Sequence, residues 1–185
     1  DIVWVSAAAG AVGSLAAQFA TLRGHRVIGS AGSDEKVAYL RDELGLDAAF
    51  NHRAGPVEDQ VRAAAPEGID VYFDCVGGDH LEAALAALRR RGRVALCGAV
   101  SQYGRPARGP GNLFQATAND LTLRGFRGSS YLHRMPDMVR DVSGWLADGR
   151  LRYRETVVDG LERAPEALAR TLAGDTIGKT LVRIA

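Results

Sequence analysis

The run Val3-Trp4-Val5-Ser6-Ala7-Ala8-Ala9-Gly10-Ala11-Val12-Gly13-Ser14 joins an apolar strand to a helix through two glycines set three residues apart. A turn of this kind can hold a diphosphate. Gly10 lets backbone come close to phosphate oxygens, and Gly13 lets the helix pack tightly on the strand. The helix N-terminus, at Ala11, Val12 and Gly13, adds free N–H groups and a partial positive charge. Ala8 stands where the first glycine of the usual G-x-G-x-x-G pattern would be. An ordinary strand–helix turn would read the same way, so the weight lies on its place at the head of alternating strand and helix patterns.

The next informative place is the end of the second predicted strand. Dinucleotide folds that bind NAD put Asp or Glu there, about 20 residues beyond the glycines, to bond the ribose hydroxyls. This chain has Ser30-Ala31-Gly32-Ser33 instead. A carboxylate would repel a ribose 2′-phosphate, whereas a hydroxyl residue with Lys36 nearby would attract one. Gly32, Ser33 and Lys36 therefore point to NADP(H), with a solvated surface lysine as the plain alternative for Lys36. Two further strand ends, Asp74-Cys75-Val76-Gly77-Gly78 and Cys97-Gly98-Ala99-Val100-Ser101, are small-residue turns against which a flat ring could lie. Tight turns needing glycine for their own conformation would look alike.

These places must be positioned by the elements around them. Strands are expected at Ile2–Ser6, Arg26–Ser30, Ala48–Asn51, Ile69–Asp74, Arg93–Leu96 and Thr122–Phe126. Helices are expected at Ala11–Leu22, from an N-cap at Ser33 to Glu43, and at Pro56–Ala65, His80–Leu88, Asn112–Asn119 and Met135–Leu146. The last is amphipathic, with Met135, Met138, Val139, Val142, Trp145 and Leu146 on one side. Alternation of this sort with short connections implies an α/β fold, a doubly wound parallel sheet of the Rossmann type. Tyr103–Gly111, with three glycines and two prolines, reads as a surface loop. Strands at Glu155–Asp159 and Lys179–Ile184 flank a helix at Pro165–Ala173, and they do not continue the β-α-β rhythm. The boundary is therefore set at 150: a dinucleotide-binding domain over 1–150 and a tail over 151–185.

Composition narrows the class. A net charge of +1 over 185 residues gives no strongly phosphate-neutralising face, so nucleic acid is not an expected partner. Arg89-Arg90-Arg91, the one basic run, reads as a solvated helix end. The two cysteines, Cys75 and Cys97, belong to no C-x-x-C pair or Cys/His cluster, so no metal site is expected. A Cys75–Cys97 bridge is open, with a reduced cytoplasmic pair preferred. No apolar run approaches the roughly 20 residues that span a bilayer. The chain opens directly in a strand without Met, as a piece of something longer would.

With these segments in place, the chain resembles the zinc-independent medium-chain reductases, in the branch of leukotriene B4 dehydrogenase, prostaglandin reductase and the NADPH-dependent enone and curcumin reductases. The resemblance rests on Ala7–Ser14, Gly32–Val37, Gly68–Asp74, Val76-Gly77-Gly78, Cys97-Gly98-Ala99, Gly160–Pro165 and Gly174–Lys179, and it runs from end to end. It implies that Gly10–Gly13 hold a pyrophosphate and Lys36 a 2′-phosphate. It implies further that the turn of Cys97, Gly98, Ala99, Val100, Ser101, Gln102 and Tyr103, with Phe126, Arg127 and Gly128, flanks the nicotinamide half. His52 stands where relatives carry a tyrosine near the adenosine phosphate. Cys75 and Thr176 replace asparagines that contact cofactor. A histidine at 52 would add charge to a phosphate site below about pH 6.5.

The resemblance also implies an N-terminal GroES-like catalytic domain, to which 151–185 would return. The implied reaction is conjugate reduction: hydride from NADPH to the β-carbon of an α,β-unsaturated ketone or aldehyde, then a proton to the α-carbon. This chain would supply the cofactor-binding half and be inactive alone. No catalytic acid can be assigned; Tyr103 is a candidate wall or hydrogen-bond donor, or else a loop tyrosine covering the sheet edge. The alternatives are a non-catalytic NADP(H)-binding module and a quinone-oxidoreductase-type enzyme. The sheet edge near Leu123–Phe126 offers a place for a homodimer.

Overall fold

The computed structural model describes residues 1–103, 106 and 108–184. Six parallel strands form one sheet: β1 (Ile2–Val5), β2 (Arg26–Ala31), β3 (Ala48–Asn51), β4 (Ile69–Asp74), β5 (Leu88–Leu96) and β6 (Thr122–Gly125). Their order is β3-β2-β1-β4-β5-β6. The chain works outward from β1 in one direction and then in the other, so a crevice opens between the carboxyl ends of β1 and β4. The chain thus forms the doubly wound parallel sheet that its alternating pattern implies.

Strand alternation divides the core. Ile2, Trp4, Ile28 and Tyr72 pack on one face with Phe50, Val61 and Leu85. Val3, Val5 and Val27 pack on the other with Ala17, Tyr39, Leu40 and Ile177. Both faces are covered because every crossover is helical: α1 (Ala11–Leu22), α2 (Asp34–Ala38), α3 (Val57–Ala64) and α4 (Gly78–Ala87). A short α5 (Gln115–Ala118) precedes β6, and α6 (Met135–Ala147) comes after it. Trp145 of α6 packs on Phe19 of α1, with ring centroids 5.4 Å apart. Met135, Met138, Val139 and Leu146 stay exposed, so only part of that apolar side meets the core.

Several expectations need correction. The second helix does not run regularly to Glu43: α2 ends at Ala38 and gives way to a wider turn, with Leu44 N–H bonding Tyr39 O at 3.1 Å. The helix expected over Asn112–Asn119 is regular only over α5. The strand expected at Arg93–Leu96 begins at Leu88, through a register irregularity beside Ile69 and a positive φ of 63° at Arg91. The basic run is thus strand, not helix end: Arg89 bonds Asp70 at 3.1 Å, and Arg90 bonds Asp120 at 2.8 Å.

A further correction concerns the tail. β7 (Glu155–Asp159) and β8 (Lys179–Arg183) are parallel neighbours joined through α7 (Ala164–Ala173), so the tail is itself a β-α-β unit. It builds its own two-stranded sheet instead of extending the large one. Gln18 of α1 ties it down: its amide donates to Arg152 O at 2.9 Å and its Oε1 accepts from Arg152 N–H at 2.8 Å. Gly178 N–H bonds Ala9 O at 2.8 Å, joining the head of β8 to the β1–α1 turn. The loop expected at Tyr103–Gly111 lies partly outside the described residues.

Candidate functional site

A cleft of about 970 Å³ lies over the carboxyl ends of the strands. Its floor is the β1–α1 turn at Ala7, Ala9, Gly10 and Ala11. One side is the ends of β2 and β3, with Gly32, Lys36, His52 and Arg53. The other side is Val76, Gly77, Val100, Ser101 and Tyr103, and the far wall is α7 with the head of β8, including Gly174 and Thr176.

The floor results from close packing. A β-carbon at Gly13 would lie 2.3 Å from Ala7 O and 2.9 Å from Ala8 Cα, so only glycine lets α1 sit this near the end of β1. Gly10 is the N-cap and supplies no side-chain cap, and α1 has no acid in its first turn. The opening N–H groups of the helix are thus left for an anion from the cleft.

The second anion-seeking place is at Gly32. A β-carbon there would meet His52 Nε2 at 3.2 Å and Arg53 Nε at 3.4 Å. Ser33 Oγ accepts from Lys36 N–H at 3.4 Å, which starts α2 and sets where Lys36 leaves it. Lys36 is only 9% exposed, so the solvated-lysine alternative is set aside. Its Nζ donates to Gly174 O, and Arg53 Nη2 donates to Ala173 O at 3.2 Å. Both cations therefore rest on the carbonyl end of α7, where a helix carries partial negative charge. Burial lowers the pKa of Lys36, and Arg53 adds to this, while Asp175 and Glu35 oppose it. Burial also lowers that of His52, with Arg53 and Lys36 adding repulsion.

His80 lies behind His52, with ring centroids 4.9 Å apart, and stacks on Trp4 at 5.9 Å. It is 5% exposed, and its Nε2 is buried without a hydrogen-bond partner. Burial, with His52 adding to it, lowers its pKa to about 4. Because the folded value is below the ordinary 6.5, the unfolded chain binds this proton more readily. The contribution is complete above pH 6.5 and is lost as pH falls towards about 4. The span corresponds to about 3 kcal/mol. Urea unfolding between about pH 7.5 and 4.5 should show this loss in the parent chain and a shallower one in His80→Phe; superimposable pH profiles would refute the assignment.

The remaining predicted residues divide between the cleft and its supports. Gly10, Ala11, Gly32, Lys36, His52, Val100, Ser101, Tyr103 and Thr176 line the cleft. Val12, Gly13, Ser33, Cys75, Cys97, Gly98, Ala99 and Gln102 are not among the lining residues: Val12 and Gly13 belong to the first turn of α1, whose N–H groups open toward the cleft, and the others to the adjoining turns. Phe126, Arg127 and Gly128 also lie off the cleft wall; Phe126 packs towards Phe73, with centroids 6.2 Å apart. Tyr103 is 66% exposed. Cys75 and Cys97 are free thiols. Burial, with Cys97 and Asp74 beside it, pushes the Cys75 thiol up to about 12, so it stays protonated near neutrality. Asp74 Oδ1 accepts from Tyr72 OH and from the N–H groups of Val76 and Gly77, which fixes the β4–α4 turn.

Sequence reading missed Arg53, Asp79, His80 and the α7 wall. Arg53 had a signal, since it comes two residues past the carboxyl end of the third strand. His80 had a weaker one, two residues past a glycine turn. The α7 wall had none, because its place depends on how the tail docks. Among the described residues, no three His, Cys, Asp or Glu side chains gather so as to hold a metal ion.

Comparison with known proteins gives a consistent result. A family model described as zinc-binding dehydrogenase matches residues 11–144. The chain is 40% identical over 190 residues to prostaglandin reductase 1 of Rattus norvegicus, covering 99% of this chain and 56% of that protein. It is 42% identical over 190 residues to 2-alkenal reductase (NADP(+)-dependent) of Nicotiana tabacum, covering 100% and 54%. The fold matches the crystal structure of CurA in complex with NADPH from Vibrio vulnificus with a TM-score of 0.93 at 38% identity, over 100% of this chain and 57% of that one. The chain thus spans about half the length of the curated relatives it matches.

Proposed function

The chain belongs to the zinc-binding dehydrogenase family, in the branch of prostaglandin reductase 1 and the alkenal reductases, and on that premise we propose that it is the NADPH-binding half of a reductase of α,β-unsaturated ketones and aldehydes. The observation that carries this reading is the convergence of Lys36, His52 and Arg53 on the carboxylate-free end of β2, in the same cleft as the uncapped start of α1. A dinucleotide carrying a third phosphoryl group asks for those two anion sites together. Relatives that are NADP(+)-dependent or solved with NADPH support the same choice.

The residues fit such a cofactor. The amides of Ala11, Val12 and Gly13 would hold the diphosphate, with Gly10 letting it approach. Lys36, beside Gly32 and Ser33, would hold the 2′-phosphate, and Thr176 would meet the cofactor from the tail. The β4 and β5 ends, with Cys75, the Cys97–Tyr103 turn and Phe126–Gly128, would shape the nicotinamide half. The chemistry supplied by bound NADPH is hydride for the β-carbon of the enone. The described residues do not fit the zinc of the family's name, since no three His, Cys, Asp or Glu side chains among them gather to hold it. The tail over 151–185 would return to a second domain that completes the substrate pocket, and β6, the last strand of the sheet order, would pair with a second copy.

Fluorescence titration with NADPH and NADH tests the cofactor, and the expected result is clear preference for NADPH. Oxidation of NADPH by a 2-alkenal, read as loss of the reduced-nicotinamide absorbance with the protein that carries this chain, tests the reaction. NADH bound as tightly as NADPH, or no turnover with any 2-alkenal or enone despite NADPH binding, would overturn the corresponding half of the proposal.

A further inference from the structure

The cluster at Gly32 holds one cation that is not fixed. Beside Lys36 and Arg53, His52 carries an imidazole, the side chain that gains or loses its charge near neutrality. His52 presents Nε2 to the backbone at Gly32, at 3.2 Å from a β-carbon built there, and Arg53 Nε reaches the same point at 3.4 Å. From this convergence we infer that His52 meets the ribose phosphate as an imidazolium, so that binding of a 2′-phosphorylated dinucleotide takes up a proton, with Arg53 as a second cation beside Lys36. The inference rests on the NADPH reading and adds two specificity-determining residues to it.

The step balances simply. A buffer acid gives a proton to the neutral imidazole of His52, one N–H bond forms, and the ring charge goes from zero to plus one. The new N–H⁺ donates to a phosphate oxygen, and no electrons are transferred. In the free chain, burial, Arg53 and Lys36 hold the pKa of His52 below its ordinary value, so the ring is neutral at about pH 7.5. A phosphomonoester carries about −1.5 to −2 charges near neutrality. Placed beside Lys36 and Arg53, it offsets the repulsion that those two cations exert on the ring and is itself a partner for the imidazolium.

The other groups around His52 do not provide the same response. His80 is behind it, buried, with its pKa lowered to about 4. Asp79 of α4 and Lys179 of β8 line the cleft. Asp175 and Glu35 act on Lys36. Asp34 is engaged by the Asn51 amide at 2.8 Å. None of these approaches the Gly32 position as His52 and Arg53 do.

NADPH and NADH differ only in the phosphate, so their difference isolates it. Calorimetric titration of each at about pH 7.5, in two buffers of different ionisation enthalpy, counts the protons exchanged. NADPH should show a net uptake that NADH lacks, and His52→Gln should remove it while NADH binding stays as a check on folding. Arg53→Gln should reduce the preference for NADPH over NADH roughly tenfold or more, the scale of a charged hydrogen bond. If NADPH is preferred but exchanges the same number of protons as NADH, the role of His52 is refuted and the cofactor reading stands. If Arg53→Gln leaves the preference unchanged, Arg53 has no part in the site. If NADH binds as well as NADPH, the cofactor reading and this inference fall together.

Discussion

Gly13→Ala is expected to destabilise the chain by about 2 kcal/mol or more and to abolish dinucleotide binding. The added methyl would stand 2.3 Å from Ala7 O, 2.8 Å from Ala7 C and 2.9 Å from Ala8 Cα. All three atoms are backbone, so no side chain can swing away to admit it. The helix must retreat from β1, and its free N–H groups leave the cleft floor with it. Alanine favours helix over glycine by roughly 1 kcal/mol, which offsets part of the cost. Overpacking of a tight core contact commonly costs about 1–3 kcal/mol and sometimes more. Gly10→Ala is the control, because its methyl would meet only Ala7 O at 3.3 Å. That variant should fold nearly as well as the parent and lose affinity for ligand alone. Urea midpoints with NADPH titrations on both variants decide the matter. A Gly13→Ala chain as stable as its parent would mean that the helix is not seated as described.

Lys36→Ala should weaken NADPH binding by roughly 1–3 kcal/mol and leave NADH binding unchanged. The residue is 9% exposed, and its desolvation is already accepted in the folded state. Its only hydrogen-bond acceptor among the described residues is Gly174 O at the end of α7. A dianionic phosphate is a stronger partner than that carbonyl, so the charge is better used when ligand is present. The same burial makes the substitution mild for folding, since it removes a desolvated charge and leaves a helix-terminal carbonyl beside an open cleft. Titration of the variant with both nucleotides gives the answer directly. An equal loss for NADH and NADPH would show that Lys36 shapes the cleft without reading the phosphate.

Both expectations descend from local patterns, and the fold was legible for the same reason. Fully apolar stretches such as Ile2–Val5 need cover on both faces, and the helices between strands provide it. The departures arose where local signals competed with tertiary pairing. Arg89–Arg91 has helical company before it, yet Leu88 pairs with Ile69 and draws the run into β5, where Asp70 and Asp120 meet the guanidinium groups. The tail looked arrhythmic because its strands are separated by a long path, although they lie side by side.

By itself the sequence determined the glycine turn, the carboxylate-free end of β2 and the cation at Lys36, because each depends on residues close together in the chain. Only the tertiary structure decided that Arg53 and His52 converge on Gly32, that His80 is buried behind them, and that α7 closes the cleft from far along the chain. The physical reason is that phosphate-sized charge is recognised by groups packed around one point. Sequence spacing fixes which groups leave a given strand or helix, whereas the packing of the tail on α1, through Gln18 and Gly178, fixes which of them share a cavity.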